Sequence, residues 1–136
     1  MYLFYIYSIK RYILFIDILI VDRRTTRPRS DSLKVGELTD TSYYILLFLV
    51  DANHGYMIMK TIEEMTNNQF SIGSASMYTT IKKLLDAELI TLCDEVNKKK
   101  IYLATEKGIE LLGKEVQRRK KMIKYAEKIL QQKRVL

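Results

Sequence analysis

The sequence predicts a mainly helical α+β fold: three helices, a two-stranded β hairpin and one long closing helix. Three observations carry that expectation. Helical patterns fill four stretches after residue 38, and two short strand-like runs flank a lysine-bearing turn. Only one proline and five glycines interrupt 136 residues, which favours long regular elements.

Thr39, Asp40, Thr41 and Ser42 open the first helix with side-chain oxygens that can accept from its leading N–H groups. Tyr43 to Val50 is apolar on every side, so this helix needs cover on more than one face. Asn53 is expected to cap a second helix, HGYMIMKTIEEMTNN, with Ile58, Ile62 and Met65 on one face. Lys60, Glu63 and Glu64 lie toward water, and Asn67-Asn68 ends the element.

The third helix lies in SASMYTTIKKLLDAELI. At about 100° per residue, Met77, Leu84 and Leu85 share a stripe with Ile81, and Tyr78 sits at its margin. The opposite face shows Ser76, Thr79 and Lys83, flanked by Thr80 and Lys82, with one acid, Asp86, at the far end. Short hydroxyls beside lysines suit a helix laid in a DNA major groove, where hydroxyls reach bases and lysines offset phosphate charge. A solvated face that happens to lack acids is the alternative.

LITLCDE, VNKKK and KIYLA then read as strand, basic turn and strand, with Ile101 and Leu103 on one side. Lys98, Lys99 and Lys100 repel one another by up to a few tenths of a kcal/mol per pair unless an anion neutralises them. A phosphate backbone would do so and release counterions; a solubilising hairpin tip is the alternative. This order of elements is that of a winged helix-turn-helix with a two-stranded β wing.

Thr105 caps the last helix, where Ile109, Leu112, Val116, Ile123, Ala126 and Leu130 form a heptad seam broken only at Arg119. Such a helix is roughly 40 Å long, more than a winged domain is wide. Its far half therefore asks for a second copy of the chain, unless it is an exposed tail beyond Lys120. The expected division is 1–37, an apolar segment and basic linker; 38–104, the winged domain; and 105–136, a C-terminal dimerisation helix.

The first 21 residues, MYLFYIYSIKRYILFIDILIV, are interrupted by Lys10, Arg11 and Asp17, too soon for the roughly 20 residues of a membrane span. No small-residue cleavage site follows, and DRRTTRPRSDSLKVGE reads as an exposed linker. Residues 1–21 fit a helix covering an apolar surface, a membrane-contacting segment ahead of Arg23 and Arg24, or translation begun upstream with no evolved role.

With 23 basic and 16 acidic residues, a net charge of +7 and a pI near 9.4, the chain favours phosphate-bearing partners, nucleic acid or an anionic membrane. The lone Cys93, among Leu89, Ile90 and Leu92, is expected to be a small buried thiol in a reducing cytoplasm. The only histidine, His54, has no cluster of acids or ligands around it in sequence, so no enzyme, metal or cofactor is expected.

Taken together, LTDTSYYILLFLVDANHGYMIMKTIEE, SMYTTIKKLLDAELIT, the lysine-tipped hairpin and IYLATEKGIELL resemble the PadR-like transcriptional regulators over residues 38 to 130. The specific parts are His54-Gly55-Tyr56, Met77-Tyr78 and Thr105-Glu106-Lys107-Gly108, and the single C-terminal helix is similar to the compact subgroup. The resemblance implies a homodimeric, sequence-specific repressor on a palindromic operator in double-stranded DNA, released by a small aromatic or hydrophobic effector. It implies that the first helix, through Tyr43 and Leu47, joins the last helix in the dimer interface. It implies backbone contacts from Tyr56, Lys60 and Tyr78, and Ser74, Ser76, Thr79, Lys82 and Lys83 in the major groove. Lys98, Lys99 and Lys100 would reach phosphates or the neighbouring minor groove.

Three positions depart from the family pattern. Thr79 replaces a common proline, Ala75 a usual glycine, and Ala87-Glu88-Leu89-Ile90 stands where E-G-L-I is usual, costing about 1 kcal/mol if a left-handed backbone persists. Without tryptophan, any effector pocket would use residues such as Tyr43, Phe48 and Met122. The competing reading is a winged-helix module that binds protein or a membrane surface rather than DNA.

Overall fold

In a computed structural model, which describes residues 33–133, helix α1 (Asp40–Phe48) begins where the Thr39 side-chain oxygen accepts from the Ser42 N–H. The apolar residues 1–21 and the first part of the basic linker lie outside the described residues. Ile45, Leu46 and Leu49 are fully buried, while Tyr43, Tyr44, Leu47 and Phe48 are half-buried around them. α1 thus finds the many-sided cover its composition demands, from α2 (Gly55–Met65), α3 (Ser74–Asp86) and α4 (Glu106–Gln132).

The second helix starts differently from expectation. Its cap is His54, whose Nδ1 accepts from the Met57 N–H at 3.3 Å, whereas Asn53 Oδ1 accepts from the His54 N–H. Asn53–His54 forms a short strand, β1, antiparallel to β3 (Lys99–Ala104). The sheet is therefore three-stranded, ordered β1-β3-β2, rather than a two-stranded hairpin. Two residues are too few to leave an alternation in the sequence. Ile58 and Ile62 are buried as expected, but Met65, at the last turn, is 68% exposed. Asn67 and Asn68 take positive φ of 50° and 59°, and the Asn68 N–H returns to Glu63 O at 2.8 Å. Asparagine tolerates that conformation better than most residues.

Helix α3 buries Met77, Ile81 and Leu84, and also Thr80, which the helical wheel placed beside the outer face. It ends in a Schellman turn: Leu89 N–H donates to Leu84 O and Glu88 N–H to Leu85 O, both at 2.9 Å. Glu88 has φ of +59°, so the left-handed position usually given to glycine is retained with a glutamate in it.

The start of α4 is bolted onto that turn. Thr105 Oγ1 donates to Glu88 O at 2.7 Å, Thr105 N–H to Leu89 O at 2.9 Å, and Lys107 Nζ to Ala87 O at 3.0 Å. Thr105 Oγ1 also accepts from Gly108 N–H, capping the helix. A Cβ at Gly108 would stand 2.1 Å from Leu89 O, so only glycine allows this approach.

Strands β2 (Ile90–Val96) and β3 join through Asn97 and Lys98, whose φ of 51° and 63° define a type I′ hairpin turn. A register shift between Leu92 and Asp94 leaves Cys93 half-buried, with Sγ directed at Ile101 O. Tyr102 and Ala104 are buried as well as Ile101 and Leu103, because β3 is the central strand.

α4 divides in two. Leu111 and Leu112 belong to the same core as the winged domain, with Ile109 packed against it. Glu115, fully buried, accepts from Arg118, from Arg119 Nε at 3.0 Å and from the Gly36 N–H at 2.9 Å. Arg119 also donates to Asp40 Oδ1 at 2.8 Å and Leu38 O at 3.1 Å, with its guanidinium 4.2 Å from the Tyr43 ring centroid. The polar break in the heptad seam is thus a staple between α4 and α1. Residues 33–37, read as linker, are pinned to α4 by Gly36.

Gly108→Ala should lower stability by about 3 kcal/mol, and Glu88→Gly should raise it by about 1 kcal/mol, both measured by urea unfolding. The Arg118 hydrogen bond, aided by Gly36 and Arg119, holds the Glu115 carboxyl down to about 2, against an ordinary value of 4.5. A depressed carboxyl pKa stabilises the fold above the unfolded value and loses that contribution as pH falls through the folded one. Melting temperature should therefore fall between pH about 4.5 and about 2, and Glu115→Gln should flatten that part of the profile.

Candidate nucleic-acid interface

Three neighbouring elements carry the residues that the sequence singles out. On α2, Tyr56 and Lys60 are exposed; on α3, Ser74, Ser76, Tyr78, Thr79, Lys82 and Lys83; on the wing, Lys98, Lys99 and Lys100. Lys98 occupies the turn, while Lys99 and Lys100 open β3.

Pairing of β1 with β3 ties the start of α2 to the wing, and α3 packs against both α2 and β2. His54, at the β1–α2 junction, stacks on Tyr56 with centroids 6.5 Å apart and planes 10° from parallel. Burial and the nearby Lys99 charge lower its pKa, which favours the neutral ring whose Nδ1 accepts the Met57 N–H. On the wing, the Tyr102 hydroxyl pKa is raised by burial and by Tyr78 of α3 and Glu95 of β2.

The chemistry of the α3 face differs along its length. Gly73 precedes the helix with no side-chain cap, and no acid lies in the first turn, so the leading N–H groups remain available to an anion. Thr79 Oγ1 donates back to Ala75 O at 2.8 Å, leaving the oxygen as an acceptor only. Thr79 can therefore receive an N–H from adenine or cytosine but has no proton left for a guanine acceptor. Two groups escaped the sequence reading: Tyr102, which strand alternation set on the other side from Ile101 and Leu103, and Glu95, which faces Lys100 across the hairpin.

A separate surface runs along the far half of α4. Of the seam residues, Leu112 is covered within its own chain, and Ile109 and Val116 are half-buried, as are Tyr43 and Leu47 on α1. Ile123, Ala126 and Leu130 are exposed, together with Met122, Tyr125 and Ile129, which the seam did not include. Among the described residues, no helix is long and apolar enough to cross a membrane. No group of three or more His, Cys, Asp or Glu is placed to hold a metal there.

The sequence model of the transcriptional regulator PadR-like family matches residues 45–114, just over half of the 136-residue chain. The chain is 34% identical over 62 residues to the transcriptional regulator YqjI of Escherichia coli K12, covering 46% of this chain and 30% of that protein. It thus spans less than a third of the length of the curated relatives it matches. A transcriptional regulator from Clostridium thermocellum superposes with a TM-score of 0.60 at 21% identity, covering 65% of this chain and 87% of the other. A PadR-like transcription factor from Bacteroides fragilis gives 0.56 at 20% identity, with the same coverage, 65% and 87%. At such identities the structural likeness shows the fold, a winged helix with a C-terminal helix.

His54→Ala should cost about 1 kcal/mol through loss of the α2 cap, and His54→Asn should keep most of that stability. Hydrogen exchange at the Met57 amide checks it: protection should drop in the alanine variant and persist in the asparagine variant.

Proposed function

Because the chain belongs to the PadR-like family of transcriptional regulators, we propose that it binds a palindromic operator as a homodimer and represses transcription until an effector releases it. One observation carries the DNA reading. Exposed hydroxyls, tyrosines and lysines occupy three elements that pack against one another, while the first turn of α3 carries no acid. Ser76, Thr79, Lys82 and Lys83 would enter the major groove, with Ser74 beside the open helix N-terminus. Tyr56, Lys60 and Tyr78 would meet the phosphate backbone, and Lys98 to Lys100 would follow it outward.

The apolar stripe on the far half of α4 supports the dimer. Met122, Ile123, Tyr125, Ile129 and Leu130 are each exposed by at least a third, more contiguous apolar surface than a monomer ordinarily shows to water. A second copy would cover it and set two recognition helices about 34 Å apart. Tyr43 and Phe48, half-buried on α1, and exposed Met122 on α4 are the residues that an aromatic or hydrophobic effector at that interface would touch.

A dimer that neutralises about six to ten phosphates should lose roughly a thousandfold or more in affinity between about 50 and 200 mM salt, read by fluorescence anisotropy on a selected operator. Alanine at Lys82, Lys83 and Lys98 together should abolish operator binding without unfolding the chain, since all three are exposed. A salt-independent affinity, or operator binding that survives the triple substitution, would count against DNA recognition by this face. Ile123→Asp with Ile129→Asp should give a monomer in sedimentation equilibrium, both side chains being more than half exposed.

A further inference from the structure

A shallow groove of about 310 Å³ lies between the segment that precedes α1 and the first turns of α4. That volume is at the small end of the range for ligand sites. Its floor is formed by Leu33, Val35, Leu89 and Leu111, and among the described residues no aromatic ring lines it. Three ammonium groups, Lys34, Lys107 and Lys114, border it. Glu110 is the one acid in the lining, 3.0 Å from Lys114, so three cations face one anion and the lining carries a surplus of two positive charges. Lys107 donates one hydrogen bond to Ala87 O, and an ammonium has three donors.

We propose that this groove binds a medium-chain aliphatic carboxylate, with the chain on the leucine and valine floor and the carboxylate between Lys107 and Lys114. The lining selects this chemistry. An aliphatic floor suits an alkyl chain, and the surplus ammonium charge suits an anionic head such as a carboxylate. The wall is held in place, because the Gly36 N–H is tied to buried Glu115 and the Lys34 N–H to Glu37 Oε2 at 2.7 Å.

The site also touches the element that ends the recognition helix. Leu89 closes the Schellman turn of α3, and the Lys107 ammonium that would take the carboxylate holds Ala87 O of the same turn. A carboxylate sharing the Lys107 ammonium weakens its hold on Ala87 O and so loosens the seat of α3. This last step makes the groove an effector site separate from the one proposed at Tyr43, Phe48 and Met122, and it rests on the DNA-binding reading; binding itself does not.

The experiment is calorimetric titration of the full chain with sodium decanoate below its micelle threshold. One molecule per chain should bind with Kd of roughly 10–100 µM. Val35→Asp and Lys114→Glu, both at exposed positions that leave the core intact, should each weaken binding at least about tenfold, while decanol should bind much more weakly than decanoate. Non-saturable uptake, decanol binding as tightly as decanoate, or unchanged affinity in Val35→Asp would overturn the proposal, as would absence of binding to the full chain. Decanoate should lower operator affinity of the parent chain and not of Val35→Asp. Saturable decanoate binding by a chain that binds no duplex would sink the DNA reading and leave the groove standing.

Discussion

The arrangement depends on one close approach: the backbone of Gly108 against the carbonyl of Leu89. Around that contact, Thr105 and Lys107 satisfy the carbonyls left open where α3 stops. A helix end normally leaves its last carbonyls unpaired within the helix. Here Ala87 O at the C-cap and Glu88 O just past it are taken by the start of the next helix, so the direction of α4 is fixed relative to α3. Because β2 begins at Ile90, directly after that turn, the wing inherits the same reference. Helix α3, the wing and the long helix α4 are therefore oriented by a handful of atoms.

The second anchor is electrostatic. A fully buried carboxylate would be costly alone, and Glu115 is tolerated since two guanidiniums and a backbone N–H surround it. Arg119 also reaches Asp40, Leu38 and the Tyr43 ring, so α1 and the segment before it are tied to the middle of α4. Up to this point α4 serves its own chain; past it the helix has no cover among the described residues. The change from covered to exposed apolar residues falls within one helix, and Arg119 marks where it lies.

The fold was largely legible because its signals are local. Thr39 and Thr105 announce helix starts, Asn67-Asn68 a helix end, and the stripe of Met77, Ile81 and Leu84 a buried face. What stayed hidden depends on long-range contact. β1 is two residues long and exists only because β3 passes beside it. Burial of Glu115 requires Gly36, 79 residues earlier in the chain, and nothing in a helical wheel draws a glutamate inward. Alternation placed Ile101 and Leu103 on one side of β3, but Tyr102 and Ala104 are buried too, because β3 is the central strand. The exposed faces of α2, α3 and the wing could be read from residue type and periodicity, whereas the pairing of β1 with β3 that ties α2 to the wing could not.

The central claim is that these three faces form one surface for duplex DNA. Amide and side-chain NMR shifts recorded as a selected operator duplex is added test it most directly. The account predicts shifts concentrated at Tyr56, Ser76, Tyr78, Lys82, Lys83 and Lys98 to Lys100, with the core around Ile45 and Leu46 unmoved. Shifts confined to the far half of α4, or none at an equimolar duplex, would contradict it.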